Sequence, residues 1–155
     1  MAQVMVVATE VKQADERVVL AVQRRQRAEA EEIAALLDAR TLGVHDALGF
    51  ASFHEYAEAR LGLTPRLAYE RVRVVEVLAG LPRTRAALAA GVVSYSTVRE
   101  LSRVVTARTE LAWLERVAGR TVREVEKLAA GHAPGANPDD DPDPDEVVTP
   151  VRFEL

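Results

Sequence analysis

The chain has 155 residues, of which 48% are hydrophobic and 28% are charged, and it contains no cysteine. This length fits one domain with or without a tail, and the composition can supply a buried core without disulfide bonds. The absence of cysteine excludes a zinc–thiolate site and a thiol nucleophile. No apolar run approaches the roughly 18 residues that cross a bilayer, and the first residues do not resemble a secretory signal. The sequence therefore predicts a cytoplasmic protein without a membrane partner.

The net charge of −4 is distributed unevenly along the chain. Residues 132–155 hold seven acidic residues against one basic residue, whereas residues 1–131 hold 19 basic and 17 acidic residues. All of those 19 basic residues except Lys12 and Lys127 are arginine. Because arginine binds phosphate and carboxylate through a planar fork, residues 1–131 could bind an anion, although GC-rich coding sequence produces the same bias.

The first predicted helix is long and lacks a continuous apolar face. A helical composition extends over Asp15–Leu42 and ends at Gly43, after a tail over residues 1–13. Residues 23–32 are almost entirely polar or alanine. A helix there must lie partly in solvent or pack against a partner.

Shorter helices are predicted from capping residues and glycines. A hydroxyl side chain at the N-cap and a glycine after the last turn are the usual boundaries of a helix. The predicted boundaries are Ser52 and Gly62, Thr64 and Gly80, Thr84 and Gly91, Ser94 alone, Thr106 or Thr109 alone, and Thr121 and Gly131. These signals predict an all-α fold, a compact bundle of short helices with a long N-terminal helix, over residues 14–131.

The composition changes after Gly131. Residues 132–146 are rich in proline and aspartate without an apolar period, which predicts an acidic linker. Apolar and polar residues alternate over 147–155, which is typical of a β-strand. Because a strand needs partners, this segment is predicted to be the start of a missing or truncated second domain.

The chain offers little that is typical of an enzyme. Its three histidines, His45, His54 and His132, have no metal-ligand spacing, and there is no phosphate-binding loop or nucleophile motif. His45 is interpreted as a helix-end residue and His54 as a surface residue within a capping box. No catalytic residue, metal site or cofactor is predicted within the chain.

A helix–turn–helix pattern is the strongest indication of function in the sequence. Helices over residues 53–61 and 65–78 are joined by the three-residue turn Gly62–Thr64. The second helix would place Arg66, Tyr69, Glu70 and Arg73 opposite Leu67, Val74 and Leu78. This arrangement would suit a recognition helix that contacts phosphates and base edges, while a plain helical hairpin with a solvated arginine face stays open.

Several short segments together resemble the helical region that precedes the nuclease domain in a bacterial group of HNH endonuclease proteins. The resemblance covers about residues 40–131. Its segments are Leu48–Tyr56, Leu61–Thr64, Leu78–Pro82, Ala87–Gly91 with Ser94, Arg99–Leu101, Thr109–Glu110, Trp113–Leu114 and Thr121–Glu126. The family places its catalytic histidine and its divalent metal in a downstream domain. The resemblance therefore implies a non-catalytic module, with the metal expected only outside this chain.

A second resemblance, to the helix–turn–helix domain of ParB-type partition proteins, also implies DNA binding. It depends on a Leu-Pro pair, a serine-capped helix and the sequence Thr121-Val122-Arg123-Glu124-Val125-Glu126. The motif that handles nucleotide in that family is missing here. The shared implication of DNA association is an analogy at the level of the fold.

The preferred interpretation is a DNA-associating module of an HNH-endonuclease-like protein. The residues expected to contact nucleic acid are Arg66, Arg71, Arg73, Arg99, Arg103 and Arg108. In the competing interpretation, the long helix pairs with a second copy to form a homodimer and the arginines only increase solubility. As a third hypothesis, the acidic residues 139–146 occupy the basic face and inhibit binding.

Overall fold

The computed structural model describes residues 1–142, and all regular structure in that range is helical. The helices are α1 (Ala2–Thr41), α2 (Val44–Ala47), α3 (Phe53–Leu61), α4 (Pro65–Leu78), α5 (Pro82–Ala89), α6 (Tyr95–Leu101), α7 (Glu110–Val117) and α8 (Val122–Ala130). The predicted all-α bundle with a long N-terminal helix is confirmed. The predicted strand over residues 147–155 and the end of the predicted linker, residues 143–146, lie outside the described residues.

Four of the described helices, α3, α4, α6 and α8, begin where a hydroxyl side chain caps them. In each case the side-chain oxygen accepts a hydrogen bond from the backbone N–H three residues later, which satisfies one of the free donors at a helix start. The capping residues are Ser52, Thr64, Ser94 and Thr121. Thr121 and Glu124 form a complete capping box. At the other end of α3, Gly62 has a φ of 62°, a left-handed conformation that costs glycine little.

Three helix boundaries differ from the predicted ones. Helix α1 begins at Ala2 and not near residue 14, because neither proline nor glycine interrupts residues 2–41. The short helix α2 was not predicted, and it begins after Gly43, whose φ of 64° reverses the chain at the end of α1. Helix α5 begins at Pro82, where the missing N–H has no cost, and not at Thr84.

Helix α4 lies at the centre of the hydrophobic core. Val72, Val74, Val75 and Leu78 have no accessible surface, so α4 is covered on most sides. The other helices contribute further large buried side chains, which include Ile33, Leu36 and Leu37 from α1, Phe53 from α3, Leu88 from α5, Tyr95, Val98 and Leu101 from α6, Trp113 and Val117 from α7, and Val125 from α8. Only the last third of α1 belongs to this core.

The first residues of the predicted linker pack against the bundle. Trp113 is fully buried and donates its indole N–H to the carbonyl oxygen of Ala136 at 2.9 Å. The backbone N–H of Gly135 donates to Val104 O at 2.8 Å. His132 is 5% exposed, and its Nδ1 lies 2.7 Å from Leu128 O. Residues 132, 135 and 136 of the predicted linker therefore contact the helical bundle.

A buried carboxylate joins α7 to the start of α5. Glu110 is 2% exposed, and its Oε1 accepts hydrogen bonds from the backbone N–H of Thr84 at 2.9 Å and from the Thr84 hydroxyl at 3.0 Å. Thr84 lies in the first turn of α5, where free backbone donors and the helix dipole favour a negative charge. The two residues thus hold the two helices together through a buried polar contact.

Candidate nucleic-acid interface

Helices α3 and α4 form the predicted helix–turn–helix pair. The turn Gly62–Thr64 joins them, and the two helices pack against each other. Thr64 caps α4 and Pro65 occupies its first turn, so the local sequence sets both the direction and the start of the second helix.

The second helix of the pair is most exposed at its beginning, and Glu76 near its end is also exposed. Arg66 and Tyr69 are exposed, and the Tyr69 ring stacks on His54 with ring centroids 5.1 Å apart. Beyond Tyr69 the helix enters the core, and Arg71 and Arg73 are only partly accessible. Leu67, which the sequence placed on the buried side, is 47% exposed. Helix α4 therefore does not present a full recognition face to solvent.

Arg71 is enclosed by groups from two other helices. Its guanidinium carbon lies 3.9 Å from the centroid of the Tyr95 ring on α6, within the range of a cation–π contact. Its two terminal nitrogens lie 3.4 Å from Glu29 and 3.4 Å from Glu32, both on α1. The Arg71 side chain is only 16% exposed. This arginine therefore holds α1, α4 and α6 together.

Arg99 is also matched to carboxylates. It lies 3.3 Å from Glu70 on α4 and 3.2 Å from Glu100, whose side chain is 5% exposed. Arg73 donates to the Ser102 hydroxyl at 3.0 Å. Arg103 is exposed and lies at the longer distance of 3.8 Å from Glu100.

These contacts form one polar cluster between α1, α4 and α6, which we call the Arg–Glu cluster. Its members are Glu29, Glu32, Glu70, Arg71, Arg99 and Glu100. Four carboxylates surround two guanidinium groups, so the cluster has no positive excess that would attract phosphate. Burial raises the pKa of the adjacent Tyr95 above its usual value, although the positive charge of Arg71 acts in the opposite direction.

The six predicted arginines thus fall into two groups. Arg71, Arg73 and Arg99 are partly buried and bound to other side chains, whereas Arg66, Arg103 and Arg108 are exposed. Within residues 1–142, no carboxylate lies within 4.0 Å of Arg66 or Arg108. Of the exposed group, Arg66 and Arg108 have no such partner in that range, whereas Arg103 keeps its contact of 3.8 Å with Glu100.

The most concentrated exposed arginines lie on α1, where no site residue was predicted. Arg24, Arg25 and Arg27 are exposed, and no carboxylate of residues 1–142 lies within 4.0 Å of them. We call residues 24–27 the basic segment. No acidic residue occurs between Glu16 and Glu29, and this gap in the acidic residues is visible in the sequence.

A cleft lies beside the basic segment. It has a volume of about 510 Å³ and lies between α1 and the turn that joins α5 to α6. Arg27, Gln23 and Gln26 line it from α1, together with the carboxylate-bearing Glu31, and Ser94 lines the opposite side. Amide, hydroxyl and guanidinium groups are the donors that commonly contact a nucleic-acid backbone.

The described part of the acidic segment, residues 139–142, makes no ion pair with these arginines. Asp139 contacts Arg116 of α7 at 3.6 Å, and both side chains are substantially exposed. Within residues 1–142, no group of three or more His, Asp or Glu side chains is placed to hold a metal ion. No helix of the same range is long and apolar enough to cross a membrane.

Comparisons of the chain with family models, with curated proteins and with solved structures give no match. The function is therefore inferred from the chain's own charges and surfaces, and from the resemblances stated above.

Proposed function

We propose that this chain is a non-catalytic helical module of an HNH-endonuclease-like protein and that it associates with DNA through the basic segment of α1. The resemblance over residues 40–131 supports the relationship to that family. The observation that supports DNA as the ligand is the exposure of Arg24, Arg25 and Arg27. No carboxylate of residues 1–142 lies within 4.0 Å of these arginines.

The physical argument begins with the availability of the guanidinium groups. An arginine already paired with a carboxylate must lose that contact before it binds phosphate, so Arg71 and Arg99 are poor candidates. The arginines of the basic segment have no such contact to lose within residues 1–142. They also lie on a rod-shaped helix, which is the element that a major groove is wide enough to admit. Arg66, Arg103 and Arg108 are further exposed positions for phosphate contacts.

The test measures binding of the purified chain to a fluorescently labelled 20-base-pair duplex by anisotropy, over a series of salt concentrations. Each phosphate contact contributes about 0.9 to the slope of log K against log salt concentration. The triple variant R24A/R25A/R27A should therefore reduce that slope by about 2.7. Alanine favours helix, so the variant should retain α1.

A matched control removes three exposed arginines elsewhere, in R83A/R85A/R123A. This variant has the same net charge as the first but keeps the basic segment, so its salt slope should stay close to that of the unmodified chain. Equal slopes for the two variants would show that only overall charge matters. Absence of duplex binding at 20 mM salt would reject DNA association.

A second candidate function is a helical interaction module that does not bind nucleic acid. It is favoured by the large apolar side chains that α1 exposes between Val4 and Leu20. Self-association without any duplex binding at low salt would select this function over the first.

A further inference from the structure

The first half of α1 has no partner within residues 1–142. Every residue from Met1 to Ala21 is exposed, and the buried residues of α1 begin only at Ile33. We call residues 2–22 the α1 arm. Its large exposed apolar side chains are Val4, Met5, Val6, Val7, Val11, Val18, Val19 and Leu20, each between 46% and 74% exposed. An exposed apolar surface of this extent is typical of an interaction site.

Six apolar residues of the arm follow a heptad pattern, whereas the exposed side chains of Met5, Val6, Val19 and Leu20 lie outside it. Spacings of three and four residues alternate through Val4, Val7, Val11, Ala14, Val18 and Ala21. This is the a/d pattern of a coiled coil, with valine at every a position. The pattern ends at Arg25, the next a position, close to the point where α1 begins to contact the bundle.

We propose that the α1 arm pairs with the α1 arm of a second copy of this chain in an antiparallel, two-stranded coiled coil. This interface does not include Arg24, Arg25 or Arg27, the residues proposed to contact DNA. The antiparallel register specifies which residues of the two arms contact each other, whereas the homodimer hypothesis above names no contacts.

Side-chain volume favours the antiparallel direction. In a parallel pair, each core residue would face the same residue of the second copy. Ala14 and Ala21 would then each face alanine, which would leave two layers of the core underfilled. In an antiparallel pair, a positions face d positions. Val4 then faces Ala21, Val7 faces Val18 and Val11 faces Ala14 of the second copy, and each layer occurs twice. Every layer contains at least one valine, which fills the core evenly.

Charge favours the same direction. Glu10 and Arg17 occupy g positions, and Asp15 occupies an e position. A parallel pair would bring Glu10 next to Asp15 of the second copy, which is a repulsive contact made twice. The antiparallel register brings Glu10 next to Arg17 of the second copy and, by the two-fold symmetry, Arg17 next to Glu10. Glu10 thus opposes the parallel orientation through Asp15 and stabilises the antiparallel orientation through Arg17.

Sedimentation equilibrium of the full chain tests self-association with an adjacent pair of variants. Val18→Glu places a charge in the predicted core and should weaken the dimer at least a hundredfold. Val19→Glu places the same charge at a b position, outside the core, and should change the dissociation constant less than threefold. Neither residue is buried in the bundle, so circular dichroism should show unchanged helix content.

Disulfide cross-linking tests the direction, because the chain has no native cysteine. In the antiparallel register, residue 4 of one copy meets residue 21 of the other, whereas the two copies of residue 4 are about 25 Å apart. The double variant Val4→Cys with Ala21→Cys should therefore form a covalent dimer on oxidation, and Val4→Cys alone should not.

Three results would overturn the proposal. They are a monomer at every protein concentration up to 200 µM, equal weakening of the dimer by Val18→Glu and Val19→Glu, and efficient cross-linking of Val4→Cys alone, which would indicate a parallel pair. Loss of duplex binding by R24A/R25A/R27A with intact dimers would separate this interface from the DNA contacts.

Discussion

Replacing Arg71 with alanine should lower the free energy of unfolding without changing the duplex affinity of the folded chain. The sequence suggested that Arg71 contacts phosphate, whereas the structure encloses it among Tyr95, Glu29 and Glu32. The substitution therefore distinguishes a residue that stabilises the fold from one that contacts nucleic acid.

The expected loss follows from the contacts that are removed. A guanidinium stacked on an aromatic ring and shielded from solvent contributes about 1–2 kcal/mol. The side chains of Glu29 and Glu32 are 27% and 38% exposed, so solvent screening limits each ion pair to about 0.5–1 kcal/mol. Together these contributions predict that R71A destabilises the chain by about 2–4 kcal/mol.

Urea unfolding at a fixed protein concentration measures this loss. Trp113 is the single tryptophan and is fully buried, so its emission reports unfolding of the core. With a denaturant slope of about 2 kcal/mol per molar, the midpoint of R71A should fall by about 1–2 M urea. Duplex affinity is measured in parallel at a temperature at which the variant is folded.

Arg66→Ala is the matched control on the same helix. Arg66 is exposed, so its removal should change the free energy of unfolding by less than about 0.5 kcal/mol. A loss below 1 kcal/mol in R71A, or a weaker duplex affinity of its folded form, would contradict the assignment of Arg71 to the fold.

Substitutions at three further residues test buried polar groups. Glu110→Ala removes the acceptor of two Thr84 donors and should cost about 2–4 kcal/mol in urea unfolding, whereas Glu110→Gln keeps an acceptor and should cost about 1 kcal/mol. Tyr95→Phe should reduce the loss of stability at alkaline pH. Because burial raises the pKa of Tyr95 above 10.0, its contribution is complete below pH 10 and decreases at higher pH, where the unfolded chain loses its proton first. Melting temperatures of both proteins from pH 8 to pH 11 measure this difference. His132→Ala should speed hydrogen exchange at the Gly135 amide, because His132 helps to hold that segment on the bundle.

Each of these predictions has a contradicting result. Equal losses of unfolding free energy in the two Glu110 variants would show that an acceptor oxygen at residue 110 does not contribute to stability. Parallel alkaline melting curves would mean that Tyr95 does not contribute to the loss of stability at high pH. Unchanged exchange at Gly135 would mean that residues 132–142 are held without His132.

Helix boundaries could be predicted from the sequence because they depend on neighbouring residues. Ser52, Thr64 and Thr121 cap helices through bonds to residues only three positions away. The start of α1 was missed for the same reason. Residues 2–13 contain neither a capping box nor a helix breaker, so no local signal marks the residue at which the helix begins.

The exposure of individual arginines could not be predicted, because it depends on residues distant in sequence. Arg66 and Arg71 are separated by little more than one helical turn, yet one is exposed and the other contacts Glu29, which is 42 positions away. Similarly, the composition of residues 132–142 could not reveal the hydrogen bond from Trp113 to Ala136, 23 positions away. The absence of acidic residues around the basic segment was visible in the sequence, but its exposure needed the structure.

The proposed dimer would place two basic segments at a distance that suits DNA. The symmetry axis of the antiparallel register lies between residues 12 and 13, so Arg25 of each copy lies about 19 Å from it along the helix. The two segments are then about 38 Å apart, close to the roughly 34 Å of one duplex turn. Two linked sites on one duplex bind more tightly than either alone. Val18→Glu, which removes no arginine, should therefore also weaken binding to a 20-base-pair duplex by about tenfold or more. Equal duplex affinities for Val18→Glu and Val19→Glu in the anisotropy assay would show that the segments act separately.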